Sequence, residues 1–260
     1  MVNWRPWLRT RLVDAIVKRP GLRKAILRRA GSPPLFELYE SAASWHVTAR
    51  SLLSALFALD DTEIERLLAE AQDAAAEIRG RVPGSSLRYL EQHMVEGETA
   101  LFLYCAARHA QPAVALETGV ADGFSTALML SAMDRTGQGE LHSVDLSHDV
   151  GTLVTDRKRW HLHVLDPADR AAFVSLVDAL PRLDLFFHDG GHDFEQQSLE
   201  FHTVWSKLSP GGLLLSDDVE WSYAFLDFMR EFDLHTLMMM DTRKVVGATV
   251  KDGTASLWRP

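Results

Sequence analysis

The chain has 260 residues, 47% of them hydrophobic and 24% charged, with a formal net charge of -9. That length and apolar content suffice for a full buried core, so one large α/β domain with an extension is expected in preference to two equal domains. The lone cysteine, Cys105, rules out an intramolecular disulfide framework and favours a reducing, cytoplasmic setting, and no apolar run approaches the ~18 residues of a transmembrane span.

The charge is unevenly spread. Residues 1–30 hold nine Lys or Arg against the single acid Asp14, a net of +8, which leaves -17 on the remainder. Trp4, Trp7, Leu8, Leu12, Val13, Ile16 and Val17 fall at spacings that gather on one helical face among those bases. A basic amphipathic arm over residues 1–31 suits peripheral contact with an anionic membrane surface. Packing on its own domain or on a second copy in a homo-oligomer is the competing expectation. Charges interrupt the apolar residues throughout, which disfavours a secretory signal. Nucleic acid is not expected as a partner, because the acidic body repels phosphates.

Gly31-Ser32-Pro33-Pro34 ends the arm. Residues 35–110 then read as a helical accessory region, with helical periodicity over 35–59 and 62–78 and no strand pattern. The second of these helices is expected to open at Asp61 or Thr62, with Glu65 as capping-box partner. A further helix, begun by Glu96-Gly97, runs over 99–109.

From Val114 onward, strand and helix signals alternate, the mark of a parallel sheet wrapped by helices over residues 111–260. Strands are predicted at 114–118, 141–145, 161–165, 183–188 and 213–216, with helices at 124–133, 167–180, 194–208 and 219–232. Two extended runs, 234–240 and 244–250, meet at Asp241-Thr242-Arg243 and predict an antiparallel hairpin closing the sheet edge.

The segment Val114 to Thr126 is the most informative stretch. An apolar strand runs into Glu117-Thr118-Gly119-Val120-Ala121-Asp122-Gly123-Phe124-Ser125-Thr126, and Gly119 and Gly123 allow close approach of a ligand at the carboxyl end of the strand. Glu117 argues against a bound pyrophosphate, and Ala121 stands where a dinucleotide turn has its second glycine. Asp145 ends the next strand, roughly 20 residues past the turn, the distance of a carboxylate that accepts ribose hydroxyls. The residues therefore point to an adenosine-bearing ligand.

Together, this turn and Asp145 resemble the cofactor site of class I S-adenosylmethionine-dependent methyltransferases. The resemblance implies a Rossmann-like, doubly wound seven-stranded sheet with an antiparallel C-terminal strand. It also implies cofactor contacts from Glu117, Gly119, Gly123, Ser125, Asp145 and Asp166.

Two acidic clusters follow at neighbouring strand ends, His188-Asp189-Gly190-Gly191-His192 and Ser216-Asp217-Asp218. Three carboxylates so close need a positive partner, and hard oxygen donors without a thiolate favour Mg²⁺ or a similar divalent cation. The pattern resembles the metal-dependent O-methyltransferases of the catechol, caffeoyl-coenzyme A and macrolide-sugar type, with Asp218 closer to the last branch. That resemblance implies Asp189, Asp217 and Asp218 as metal ligands and Asp189 and His192 as catalytic residues. His192 would be the base that removes the acceptor proton. The expected function is O-methylation of a hydroxyl on a small-molecule or glycosylated acceptor. A nucleotide-cofactor oxidoreductase and a non-catalytic binding module are the alternatives.

Overall fold

The computed structural model describes residues 33–81, 87–89 and 93–252. The basic arm, with its expected membrane or partner contact, lies outside the described residues.

Among the described residues, eight strands form one mixed sheet. After the first helix, α1 (Pro33–Ser41), comes β1 (Ser44–His46), followed by α2 (Ala49–Phe57), α3 (Asp61–Gly80) and α4 (Gly97–Ala110). The alternating body contains β2 (Val114–Thr118), α5 (Phe124–Thr136), β3 (Glu140–Asp145), β4 (Trp160–Val164), α6 (Arg170–Ala179) and β5 (Leu183–His188). It continues through α7 (Phe194–Lys207), β6 (Leu208–Ser216), α8 (Ala224–Glu231), β7 (Leu237–Met240) and β8 (Val245–Val250). The sheet order is β1-β7-β8-β6-β5-β2-β3-β4, parallel except where β8 runs against both β6 and β7.

The five predicted core strands and the terminal hairpin all form. The eighth strand is a correction: Ser44–His46 pairs in parallel with β7, although no strand pattern was read before Val114. It is three residues long, too short for an alternation to show, and it divides the helical run expected over 35–59. The hairpin consequently lies inside the sheet, with β1 beyond it. A second correction concerns α3, whose N-cap is Asp60, extended in backbone and accepting from the Glu63 amide at 2.8 Å, so Glu65 has no capping role. Finally, α8 starts at Ala224 instead of 219, because Asp218, at φ +54°, turns the chain before the helix can begin.

Helices cover both faces of the sheet, which is why β2 and β5 read as nearly continuous apolar runs. Ala115, Leu185, Phe187 and Leu213 pack with α2, α3, α4 and α5 on one side. Leu116, Phe186 and Leu214 pack with α6, α7 and α8 on the other. Register then sets the site. Thr118 is paired with Val144 and His188, and His188 with Ser216, so four strands end in one row. Gly119, Asp145, Asp189 and Asp217 are the next residues of those strands, emerging side by side at spacings of about 4.8 Å between strands.

Gly247 in β8 leaves room for a ring, since a Cβ there would lie 2.4 Å from Cζ of the buried Phe225. Gly247→Ala is therefore expected to lower the melting temperature by an overpacking cost of about 1–3 kcal/mol, and thermal unfolding monitored by circular dichroism checks it.

Candidate active site

The turn after β2 is shaped by close approach. Gly119 has φ +82°, and a Cβ on it would stand 2.0 Å from the carbonyl oxygen of Asp189. Gly123, also at φ +82°, opens α5 and admits the backbone of Gly151. Asp145 holds the turn from the side: its carboxylate accepts the amides of Val120 at 2.8 Å, Ala121 at 3.4 Å and Ser147 at 3.1 Å. Asp122, fully buried, accepts the amides of Arg88 and Tyr89 at 3.1 and 2.8 Å, and so fastens the segment carrying Tyr89 against the turn.

A cavity of about 760 Å³ opens over these strand ends. Gly119, Ser125, Asp145 and Asp166 line it, with Tyr89. Glu117 and Gly123 do not line it. Glu117 lies beneath the floor, fully buried, accepting hydroxyl hydrogen bonds from Ser143 at 2.6 Å, Thr126 at 2.5 Å and Ser125 at 3.3 Å. Burial pushes its carboxyl up to about 7 against the pull of those hydroxyls.

Asp189, His192, Asp218, Trp221 and Lys244 also line the cavity. His192 Nε2 lies 3.1 Å from Asp218 Oδ2, and its ring stacks on the exposed Trp221 with centroids 6.2 Å apart. His192 Nδ1 has no hydrogen-bond partner. Behind them the buried His188 meets Glu200 at 2.7 Å, and Thr118 donates to the same carboxylate oxygen, which fixes the end of β5.

Lys244 was not anticipated from the sequence. The Asp241-Thr242-Arg243 turn brings it back beside β6, and its Nζ stands 2.8 Å from Asp217 Oδ2, 2.9 Å from Asp218 Oδ2 and 3.9 Å from Asp189 Oδ1. Burial would lower its pKa, but Asp189 and Asp217 outweigh burial and hold the ammonium above the usual lysine range. Burial and then Asp217 push the Asp189 carboxyl well up, and burial raises Asp217 to about 6. Burial also opposes ionisation of Asp218, yet hydrogen bonds from His192 and Lys244 keep its carboxyl below the ordinary value.

This arrangement does not fit the expected divalent cation on Asp189, Asp217 and Asp218, because their common centre is taken by the Lys244 ammonium. One donor atom each from Asp189, His192 and Asp218 does converge within 4.8 Å. However, Asp218 Oδ2 is already shared by His192 and Lys244. Unit charges 4 Å apart repel by about 4 kcal/mol at an effective dielectric of 20, so a divalent ion beside that ammonium faces about twice as much.

Residues 116–219 match the family model described as a methyltransferase domain. Over that stretch the chain is similar to methyltransferase domains. A tetracenomycin-derivative 2'-O-methyltransferase of Streptomyces olivaceus is 35% identical over 65 residues, a match spanning 25% of this chain and 17% of that relative. Among solved structures, a putative O-methyltransferase from Klebsiella pneumoniae superposes with TM-score 0.51 at 18% identity, covering 78% of this chain and 96% of its own. The S-adenosylmethionine complex of the O-methyltransferase TomG from Streptomyces achromogenes gives TM-score 0.50 at 16% identity, covering 77% and 94%. These likenesses are of fold.

Within the matched stretch, Glu117 makes a pH prediction. Its folded pKa, about 7, lies above the ordinary 4.5, so the stability contributed by the protonated form is complete below about pH 4.5 and lost as pH rises through 7. Glu117→Gln should therefore gain on the wild type by about 2.5 kcal/mol between pH 5 and pH 8, read as the difference between their melting temperatures across that range.

Proposed function

We propose that the chain is an S-adenosylmethionine-dependent O-methyltransferase acting on a hydroxyl of a small or glycosylated metabolite. The observation that carries this reading is one cavity lined by two chemically distinct sets of side chains. Gly119, Asp145 and Asp166 offer a nucleoside its close backbone and carboxylates, while His192 on Asp218 offers an acceptor its base. The volume lies in the ~300–1,000 Å³ range of small-molecule sites.

In this reading the acceptor oxygen attacks the sulfonium methyl in line. A C–O bond forms, the C–S bond breaks, and the hydroxyl proton passes to His192. Asp218 orients that imidazole through Nε2. Trp221, at the rim, supplies an apolar face for a sugar or aromatic ring. The magnesium expected from the three aspartates is not carried into this reading, since Lys244 holds their centre.

The reading is tested by titrating the protein and two variants with S-adenosylmethionine in a calorimeter. Asp145→Ala is expected to abolish binding. His192→Ala should bind as the wild type does but lose about 10²–10⁴ in turnover on an acceptor found by screening. Absence of adenosylmethionine binding by the wild type overturns the reading.

The reading also places the enzyme in the cytoplasm with residues 1–30 as a peripheral membrane contact, supported by the nine bases and two tryptophans of that arm. Among the described residues no helix is long and apolar enough to cross a membrane. In flotation with anionic liposomes the full chain should rise and a chain lacking residues 1–30 should not. Equal behaviour of both forms removes the membrane contact.

A further inference from the structure

We propose that Lys244 is the resident cation of the acceptor site, a side chain that stands in for a divalent metal, so that methyl transfer in this protein runs without one. The inference rests on the methyltransferase reading of the cavity. Its basis is the position of one nitrogen relative to three acids. Asp217 and Asp218 each bring an oxygen within 2.9 Å of Lys244 Nζ, and Asp189 one at 3.9 Å. All four side chains are nearly or fully removed from solvent, with 12% of Lys244 and none of Asp217 exposed.

Lys244 is held there from both flanks. Before it in the chain, the Asp241 carboxylate accepts the amide and hydroxyl of Thr99 at 2.8 and 3.0 Å, and the buried Glu96 accepts the amide of Arg243 at 2.7 Å and its Nε at 2.5 Å. After it, the Val245 amide donates to Glu220 at 3.1 Å, and β8 enters the sheet. The anchored backbone fixes where the lysine stem starts, and swinging the ammonium aside for a metal would part it from its acids.

An ammonium has three N–H donors. Two are engaged by Asp217 and Asp218, and the third is left for an oxygen in the cavity that Lys244 lines. During transfer that donor stabilises the acceptor oxygen as its proton leaves for His192. The oxygen forms its bond to the methyl carbon, and the sulfur keeps the electron pair of the broken C–S bond. A Lewis acid would do the same work from the same place. Lys244 is on this account a positioning residue for the three aspartates and a hydrogen-bond donor to the acceptor.

The experiment uses Mn²⁺ as probe on the full chain with S-adenosylhomocysteine present, reading metal binding by titration calorimetry and melting temperature by scanning calorimetry. The wild type is expected to give no titratable Mn²⁺ heat, with a melting temperature unmoved by Mn²⁺ or EDTA. Lys244→Ala should melt several degrees lower in EDTA and recover with Mn²⁺, because three acids without their cation form an ion site. Lys244→Gln, which keeps hydrogen bonding but not charge, should behave like the alanine variant and supplies the comparison should Lys244→Ala not fold. Stoichiometric Mn²⁺ binding by the wild type overturns the proposal, as does a folded variant that Mn²⁺ fails to restore. S-adenosylhomocysteine binding in the same samples reports on the methyltransferase reading separately: its loss removes that reading, whereas Mn²⁺ binding by a wild type that retains it removes only the role of Lys244.

Discussion

Buried negative charge at the ends of four in-register strands is the constraint on which this structure turns. Thr118, Val144, His188 and Ser216 lie in one row, so the residues after them must share one small volume. Two of those residues are Asp189 and Asp217, with Asp218 beside them, and little solvent reaches any of the three. Such a group persists only with a cation among its members. Lys244 supplies it, and the antiparallel β8 exists in the right place to deliver it.

The rest of the site is arranged by backbone amides paired with carboxylates. Asp145 gathers the turn after β2, Asp122 gathers the Arg88–Tyr89 segment, and Glu96 and Asp241 gather the hairpin turn that carries Lys244. Each acid uses both a fixed position on a regular element and the preference of an ionised oxygen for N–H donors. The cavity walls are thus held by carboxylates bonded to the backbone, and of these Asp145 also lines the cavity. Glu117 belongs to the same system, with three hydroxyls around it and no face on the cavity.

Trp221 and His192 show how local geometry turns a packing residue into a site residue. The left-handed backbone at Asp218 delays α8, and the freed segment sets Trp221 against the imidazole instead of in the core. An aromatic residue near a helix start is ordinarily packing. Here the later start of the helix leaves it at the cavity rim.

The sequence alone determined the alternation of strands and helices, the glycine turn after β2, the acids at the strand ends and the terminal hairpin. These are local signals: an apolar run, a glycine that must reach positive φ, an acid placed just past a strand. Only the tertiary structure decided which of those acids face the cavity and what neutralises them. Glu117 and Asp145 are both acids at strand ends and share a face of the sheet, since Glu117 pairs with Ser143 and Asp145 lies two residues beyond it; that further step along the strand carries Asp145 to the cavity and leaves Glu117 beneath the floor. Lys244 is 26 positions from Asp218 in the chain and carries no motif, and the contact depends on the pairing of Ser216 with Gly247 across an antiparallel edge. β1 was hidden for a related reason, since three residues gain strand geometry only from the partner already waiting in β7. Pairwise register between distant segments is a property of the packed sheet, and no single segment encodes it.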